Sequence, residues 1–298
     1  MQIALLTCQK LPNLLETENQ LIPKLAKHNI VAKAVIWDDK CVIWQNFDVL
    51  IFRNTWDYYE KQTEFDIWLN KIQKLGIKTL NSIEIINKNK HKFYLQELQK
   101  QGFKILPTIF VEKTDDLDIS KIIPNHWKKT VIKPAYSAGS YQTELFNIAE
   151  IEIINQKYKD IASEKELLLQ KFMPEIQTQG ETSFIFFNKR FSHAVNKKPV
   201  DGEFRIQVQF GGKYQLVTPS EILIQKAQEI VNTFSEDLLY ARVDGIIIEN
   251  ELHLMEIECL EPDLYFNLAE GSMDKFVNSI LELIKNPKLK IKNSETIN

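Results

Sequence analysis

Two acidic residues interrupt an apolar strand near the end of the chain. In ELHLMEIECLEP (251–262), Leu252, Leu254, Met255, Ile257 and Cys259 suit a sheet interior, yet Glu256 and Glu258 stand among them. A buried carboxylate is costly unless it is paired or bound to a metal. The run ARVDGIII (241–248) comes just before, and the polar Glu249, Asn250 and Glu251 between the two read as a short hairpin loop. With the turn centred on Asn250, Asp244 lies directly across from Glu256, about 5 Å away between Cβ atoms. Glu258 shares that face, about 7 Å from Glu256, while Met255, Ile257 and Cys259 point into the core. Three converging carboxylates repel one another and take up protons unless a cation joins them. Mg²⁺ suits the pattern, because it takes oxygen ligands, commonly one or two carboxylates plus substrate phosphates. The competing reading is a sheet face open to water. The aliphatic neighbours and the meeting of two strands favour the metal.

A magnesium cluster implies phosphate, and phosphate needs cations. VIKPAYSAGS places Lys133 at the end of an apolar strand, before a small-residue loop able to approach phosphate through backbone N–H groups. Lys92, in NKNKHKFYLQEL, sits at a helix start. GEFRIQVQFGG puts Arg205 on a strand before Gly211 and Gly212, where a guanidinium can grip a phosphate or acyl phosphate bidentately or form a structural ion pair. In RNTWDY, Arg53, Trp56, Asp57 and Tyr58 cluster at a strand end. One reading makes them a substrate pocket, Arg53 taking a carboxylate and Asp57 an amine. The other is a structural corner with Trp56 and Tyr58 packed at a domain interface. Glu261, just past the acidic strand, is placed to face a substrate amino group. His193 reads as a packed strand residue and not a base, and no Ser/His/Asp or Cys/His signature is present.

The elements that must carry these residues follow from apolar periodicity. Strands at 2–7, 30–37, 48–53 and 77–80 alternate with helices at 12–28 and 60–75, the second stopped by Gly76. That alternation implies a parallel sheet covered on both faces, with a ligand crevice at the strand ends. Beyond residue 90 the pattern changes to a helix at 90–101 and strands at 105–112, 128–134, 166–174, 181–187, 190–196, 204–210 and 214–218. Helices fall near 148–162, 220–235 and 273–285, and a polar tail follows. The chain therefore reads as α/β followed by α+β.

Composition narrows the partners. The 298 residues are 44% hydrophobic and 26% charged, with a net charge of -3. This is an ordinary soluble composition, with no global reason to expect nucleic acid or an acidic membrane. No apolar run reaches the length of a membrane span, and the opening MQIALLTCQKLP reads as a first strand and not a signal peptide. The three cysteines, Cys8, Cys41 and Cys259, have no metal-type spacing and suit a reducing cytoplasm. Cys8 also has some claim to line a substrate pocket.

Taken in order, Lys92, VIKP, LLLQKFMPEI, GETSFIFF, GEFRIQVQFGG, VDGI and LMEIE resemble the ATP-grasp superfamily, in its glutathione synthetase and ribosomal-protein glutamate ligase branch. RNTWDY, VIWDD, FSHAVNKKP, GEFR and MEIECLEPDLYF look closer still to the group containing the cycloserine-forming ligase, over nearly the whole chain. The resemblance implies a Rossmann-like N-terminal (pre-ATP-grasp) domain at 1–88 and a two-subdomain ATP-grasp fold at 89–298. Within the latter it implies a mobile lid at about 105–172 and an antiparallel-sheet subdomain at about 173–290.

It further implies ATP and Mg²⁺ as cofactors, with one or two metal ions and Mn²⁺ as a substitute. Lys92 and Lys133 match nucleotide-binding lysines, Lys171 and Phe172 the hinge whose backbone reads adenine, and Glu181 the grip on ribose. Arg205 matches the arginine at the γ-phosphate, Lys197 a lysine near the phosphates, and Asp244, Glu256 and Glu258 the metal ligands. Two departures stand out. Glu258 occupies a position where many ATP-grasp enzymes have Asn, and the loop SAGSYQ holds a single glycine. The implied activity is carboxylate–amine ligation through an acyl phosphate on a small amino-acid-like or peptide-like substrate, joining two molecules or closing a ring. A module that binds nucleotide without catalysis is the alternative. Dimers or tetramers are common in this branch, and the assembly stays open.

Overall fold

In the computed structural model of the chain, which describes residues 1–200, 203, 205–206 and 210–286, the first unit is a parallel sheet. Its strands β1 (Gln2–Thr7), β2 (Val31–Ile36), β3 (Val49–Asn54) and β4 (Lys78–Leu80) lie in the order β2-β1-β3-β4. The helix Gln62–Lys74 buries Phe65, Trp68, Leu69 and Ile72 at helical spacing against Trp37, Trp44 and Phe52. Each such side chain contributes about 1.5–3 kcal/mol by leaving water. The expected helix at 12–28 is instead two short pieces, Glu16–Asn19 and Leu21–Ala26. Pro23 explains the break, since proline fits only the first turn of a helix and forces a fresh start.

The expected helix at 90–101 begins later, at Tyr94, and a separate helix not anticipated from the sequence precedes it. Ile83–Asn89 begins where the Ser82 hydroxyl accepts from the Ile85 N–H at 3.3 Å, and Tyr94–Lys100 follows after a short turn holding Lys92. An antiparallel sheet comes next, from β5 (Thr108–Val111), β6 (Lys129–Pro134), β7 (Glu144–Asn147) and β8 (Leu167–Lys171), in the order β5-β8-β6-β7. The helix Ile151–Glu164 covers it through Ile154, Tyr158 and Ala162.

The third sheet is the functional one. It is antiparallel and runs β11-β10-β9-β12-β13, from β9 (Glu181–Phe187), β10 (Arg190–Lys198), β11 (Lys213–Val217), β12 (Tyr240–Ile248) and β13 (Glu251–Glu258). The expected strand at 204–210 falls mostly outside the described residues, and Arg205 and Ile206 themselves are not in a strand. The polar tail lies outside them too. The helix Ser272–Lys285 packs Phe276, Val277 and Ile280 into a core shared with Ile3, Leu5 and Ile51 of the first sheet, so the N-terminal unit and the functional sheet form one apolar interior. Among the described residues no helix is long and apolar enough to cross a membrane.

The β12–β13 hairpin is built differently from the sequence expectation. Its loop has two residues, Glu249 and Asn250, both with positive φ (51° and 63°), and Ile248 already pairs with Glu251. This is the mirror-image turn that matches strand twist. Continued unchanged, that register would set Asp244 opposite Met255 and turn Glu256 toward the other face. A bulge between Asp244 and Gly245 restores the pairing: Gly245 faces Leu254, but Asp244 faces Glu256 and Arg242 faces Glu258. Met255 is the extra residue. It is only partly buried, beside a small cluster containing Ile246, whereas Ile257 and Cys259 enter the main core, so its expected place with them is corrected.

Gly245 makes the bulge possible, since a Cβ there would stand 2.6 Å from the His253 carbonyl oxygen and 2.7 Å from Leu252 Cδ1. Replacing Gly245 by Ala is expected to destabilise the fold by about 1–3 kcal/mol, as overpacking does. Urea unfolding monitored by circular dichroism measures the loss.

Candidate active site

One face of the functional sheet carries a continuous polar patch. Across the strands, Tyr214 pairs with Lys197, Lys197 with Glu181, Ser183 with Asp244, and Asp244 with Glu256. Asp244, fully buried, accepts from the Ser183 hydroxyl at 2.5 Å and lies 3.6 Å from Lys197 Nζ. One carboxylate oxygen from each of Asp244, Glu256 and Glu258 lies within 4.8 Å of the others. The three carboxylates expected from the sequence are brought together.

The guanidinium found among these carboxylates is that of Arg242, which sequence reasoning passed over. Its Nε and Nη2 donate to Asp244 at 2.8–3.0 Å, Nη2 also reaches Glu258, and Nη1 donates to the Asp263 carbonyl at 3.2 Å. The signal was available, because the pairing that sets Asp244 opposite Glu256 also sets Arg242 opposite Glu258. Burial works against the charge on Arg242, but Asp244 and Glu258 outweigh it and raise its pKa well above the ordinary arginine value.

The two glutamates are held unequally. Burial disfavours ionised Glu256, yet Lys92, 3.6 Å away, and Lys133 prevail and bring its carboxyl down to about 2. Burial, with Glu256 and Asp244 as like-charged neighbours, pushes Glu258 well up despite Arg242. Oxygen donors of this kind and spacing fit a hard divalent cation, which relieves such repulsion.

Lys92 is buried, with Nζ donating to the Ser137 carbonyl in the small-residue loop and its backbone N–H donating to the Ala135 carbonyl at 2.9 Å. Lys133 is half-buried near the end of β6, and burial lowers its pKa. Lys197 pairs with Glu181; burial opposes its charge, and Asp244 and Glu181 raise its pKa well above the lysine range. Burial lifts Glu181 to about 7 against the pull of Lys197. The Lys171 and Phe172 N–H groups donate to the Pro107 and Lys129 carbonyls at 2.9 and 3.0 Å, so these two amides already have backbone partners inside the fold. Arg205 is paired with Glu203 at 2.6 Å and lies 3.6 Å from the centre of the Phe210 ring.

A cleft runs from the acidic patch between Lys92, Tyr58, Ser137, Gly139, Glu256, Glu258 and Glu261. Burial, moderated by Lys92, lifts the Glu261 carboxyl to about 7. His193 donates from Nε2 to the Leu264 carbonyl at 3.0 Å, and burial lowers it to about 4, which suits a packed residue better than a base. Cys8 is buried at the end of β1.

The RNTWDY cluster, which the sequence leaves open between a substrate pocket and a structural corner, is tied into the fold by its own hydrogen bonds. Arg53 is fully buried, forms a bidentate pair with Glu18, and donates from Nη2 to the Pro262 carbonyl at 2.9 Å. Asp57 accepts from Trp37 Nε1 at 2.7 Å and from Lys61 at 2.8 Å. Neither is open to a substrate carboxylate or amine. Trp56 donates to the Glu261 carbonyl at 2.9 Å, and of the four only Tyr58 lines the cleft. With Asn81 on Cys259, Tyr240 on Leu260, Arg242 on Asp263 and His193 on Leu264, six successive carbonyls from 259 to 264 each meet a side chain. The cluster fixes the backbone that presents Glu261.

The fold and this site define the class. Residues 92–269, more than half of the chain, match the prokaryotic glutathione synthetase ATP-grasp domain family, and residues 3–81 match the N-terminal domain of D-cycloserine synthetase DcsG. The chain belongs to the ATP-grasp family and is an ATP-dependent carboxylate–amine ligase, of a kind that uses ATP and Mg²⁺. Among individual proteins it is similar to the cycloserine biosynthesis protein DcsG of Streptomyces lavendulae, 22% identical over 272 residues, covering 86% of this chain and 90% of that protein. It is also similar to the glutathione synthetase of Prochlorococcus marinus subsp. pastoris, 24% identical over 253 residues (83% and 79% of the two chains). The crystal structure of D-cycloserine synthetase DcsG superposes with a TM-score of 0.82 at 21% identity, covering 95% of this chain and all of that one. The D-alanine–D-alanine ligase of Bacillus anthracis with ATP gives 0.67 at 15%, covering 95% and 96%.

The Arg53–Glu18 pair generates a direct test. Replacing Glu18 by Gln leaves a guanidinium buried without its counter-charge, and breaking such a pair costs about 3–5 kcal/mol. Denaturant unfolding should show that loss, whereas a substrate-binding arginine would leave stability nearly untouched.

Proposed function

We propose that the protein activates the carboxylate of a small amino-acid-like substrate as an acyl phosphate, on which an amine then closes the new bond. The observation that carries this reading is the sheet face where Asp244, Glu256 and Glu258 converge within a ring of Lys92, Lys133, Lys197 and Arg242. Asp244, Glu256 and Glu258 would hold the metal, one ion or two, which when bound neutralises phosphate charge. Lys92 and Lys133 orient the nucleotide phosphates, and Glu181 faces its ribose. Phosphoryl transfer needs positioning and charge stabilisation more than covalent chemistry by the protein, in keeping with the absence of a nucleophile signature. The γ-phosphoryl group moves to the substrate carboxylate as its bond to ADP breaks. Arg242, and Arg205 on the glycine-bearing segment, meet the charge that develops. The amine attacks the acyl carbon, phosphate leaves, and ionised Glu261 holds the amine end. The sheet β5–β8 acts as the lid that excludes water.

A cyclising reaction, with acid and amine on one molecule, is favoured by the likeness of residues 3–81 to the DcsG N-terminal domain. Release of ADP and phosphate across a panel of amino acids and dipeptides tests both readings. Turnover with one compound alone, and a product lighter by water, marks the cyclising form. No substrate-stimulated turnover despite tight ATP binding sinks the ligation scheme. Glu256→Gln should lower turnover at least 100-fold in a protein that still folds, and normal activity would refute the metal assignment.

Glu261 supplies a pH dependence. Its carboxyl is lifted to about 7, so it is neutral below that pH and ionised above it. The KM for the amine-bearing substrate should therefore fall as pH rises through about 7, and Glu261→Gln should flatten that profile while leaving the KM for MgATP in place. Steady-state kinetics between pH 6 and 8 measure both.

A further inference from the structure

The acidic strand β13 is the edge of its sheet, with β12 on one side only. An edge strand presents a row of unpaired N–H and C=O groups, and here the row lies beside the carboxylates. Its coverage changes along the strand. At Leu254 the backbone does the work: the Leu254 N–H donates to the Lys104 carbonyl at 2.9 Å, and its carbonyl accepts from Leu106 N–H at 3.0 Å. Past the bulge, where Ile257 and Cys259 turn their backbone outward, side chains replace it. Tyr94 Oη donates to the Ile257 carbonyl at 2.9 Å and accepts from the Ile257 N–H at 2.8 Å. Asn89 Nδ2 donates to the same carbonyl at 2.7 Å, while Asn89 Oδ1 accepts from the Cys259 N–H at 2.7 Å.

Asn89 thus grips the backbone on both sides of Glu258 with one amide, and Tyr94 holds the residue between Glu256 and Glu258. Asn89 is buried, borders the cleft, and has both amide atoms engaged with backbone, so it is set to hold the strand and not a ligand. The two residues come from the ends of consecutive helices, Ile83–Asn89 and Tyr94–Lys100, with Lys92 in the turn between them. The same turn therefore places a lysine against Glu256 and the clamp against the strand that carries it.

We infer that Asn89, assisted by Tyr94, is a positioning residue for divalent-cation binding: it substitutes for a missing neighbour strand and fixes the spacing of Glu256 and Glu258 relative to Asp244. This rests on the proposed role of those three carboxylates. Groups that orient metal ligands commonly influence affinity 10–100-fold.

The test is Mn²⁺ binding to the full-length protein in the presence of ADP, followed by electron paramagnetic resonance of the free ion, together with the melting temperature. Asn89→Ala should weaken Mn²⁺ binding about tenfold or more. Tyr94→Phe keeps the packing and loses only the hydroxyl, so it should weaken binding by a smaller factor, and it carries the test if Asn89→Ala does not fold. A lowered melting temperature with unchanged Mn²⁺ affinity in both variants overturns the inference and leaves the metal site standing. Failure of the unaltered protein to bind Mn²⁺ overturns the metal assignment itself.

Discussion

The site depends on one extra residue in β13. A two-residue turn and a regular ladder would pair Asp244 with Met255 and send Glu256 toward the core side. The bulge shifts the pairing by one, so that Asp244, Glu256, Glu258 and Arg242 all reach the same face. Gly245 admits it, because the neighbouring strand comes closer there than any side chain allows. Bulges commonly re-aim side chains near active sites, and here the change decides whether an acidic patch exists at all.

Once the carboxylates share a face, the cations around them follow from electrostatics. Asp244, Glu256 and Glu258 cannot all ionise at close range without compensation. Arg242 serves Asp244 and Glu258, Lys92 serves Glu256, and Lys197 stands between Asp244 and Glu181. Each cation comes from a different part of the fold: Lys92 from the turn between two helices, Lys197 from β10, Arg242 from β12. The apolar interior common to the N-terminal unit and the functional sheet keeps these elements in register.

Much of this was legible in the residues. Alternation and turn chemistry located the strands of the first and third sheets, and the meeting of Asp244, Glu256 and Glu258 was anticipated. The reasoning behind it was incomplete, since a three-residue loop stood in for a two-residue turn followed by a bulge. The clue lay in the apolar spacing, where Leu252 and Leu254 are followed by Ile257 and Cys259, an interval of three that a regular strand does not produce. The helix Ile83–Asn89 escaped because it is only 7 residues long, and only Ser82 marks its start. Arg53 could not be placed from sequence. Its partner, Glu18, lies on a short helix 35 residues away, and nothing local distinguishes an arginine that meets a ligand from one that meets a buried glutamate.

The segment 259–264 carries a consequence of a different kind. A carbonyl held by a neighbouring strand is held by backbone, whatever residue that strand presents, so such contacts tolerate sequence drift. The six carbonyls after β13 are held by Asn81, Tyr240, Trp56, Arg53, Arg242 and His193, each through a particular side chain. Single substitutions at Asn81, Tyr240, Trp56 or His193 can therefore loosen that segment one bond at a time, whereas Arg242 also holds Asp244 and Glu258, and Arg53 its buried pair with Glu18. Diversification of the pocket wall and preservation of the nucleotide machinery become separable problems for a lineage, or for an engineer.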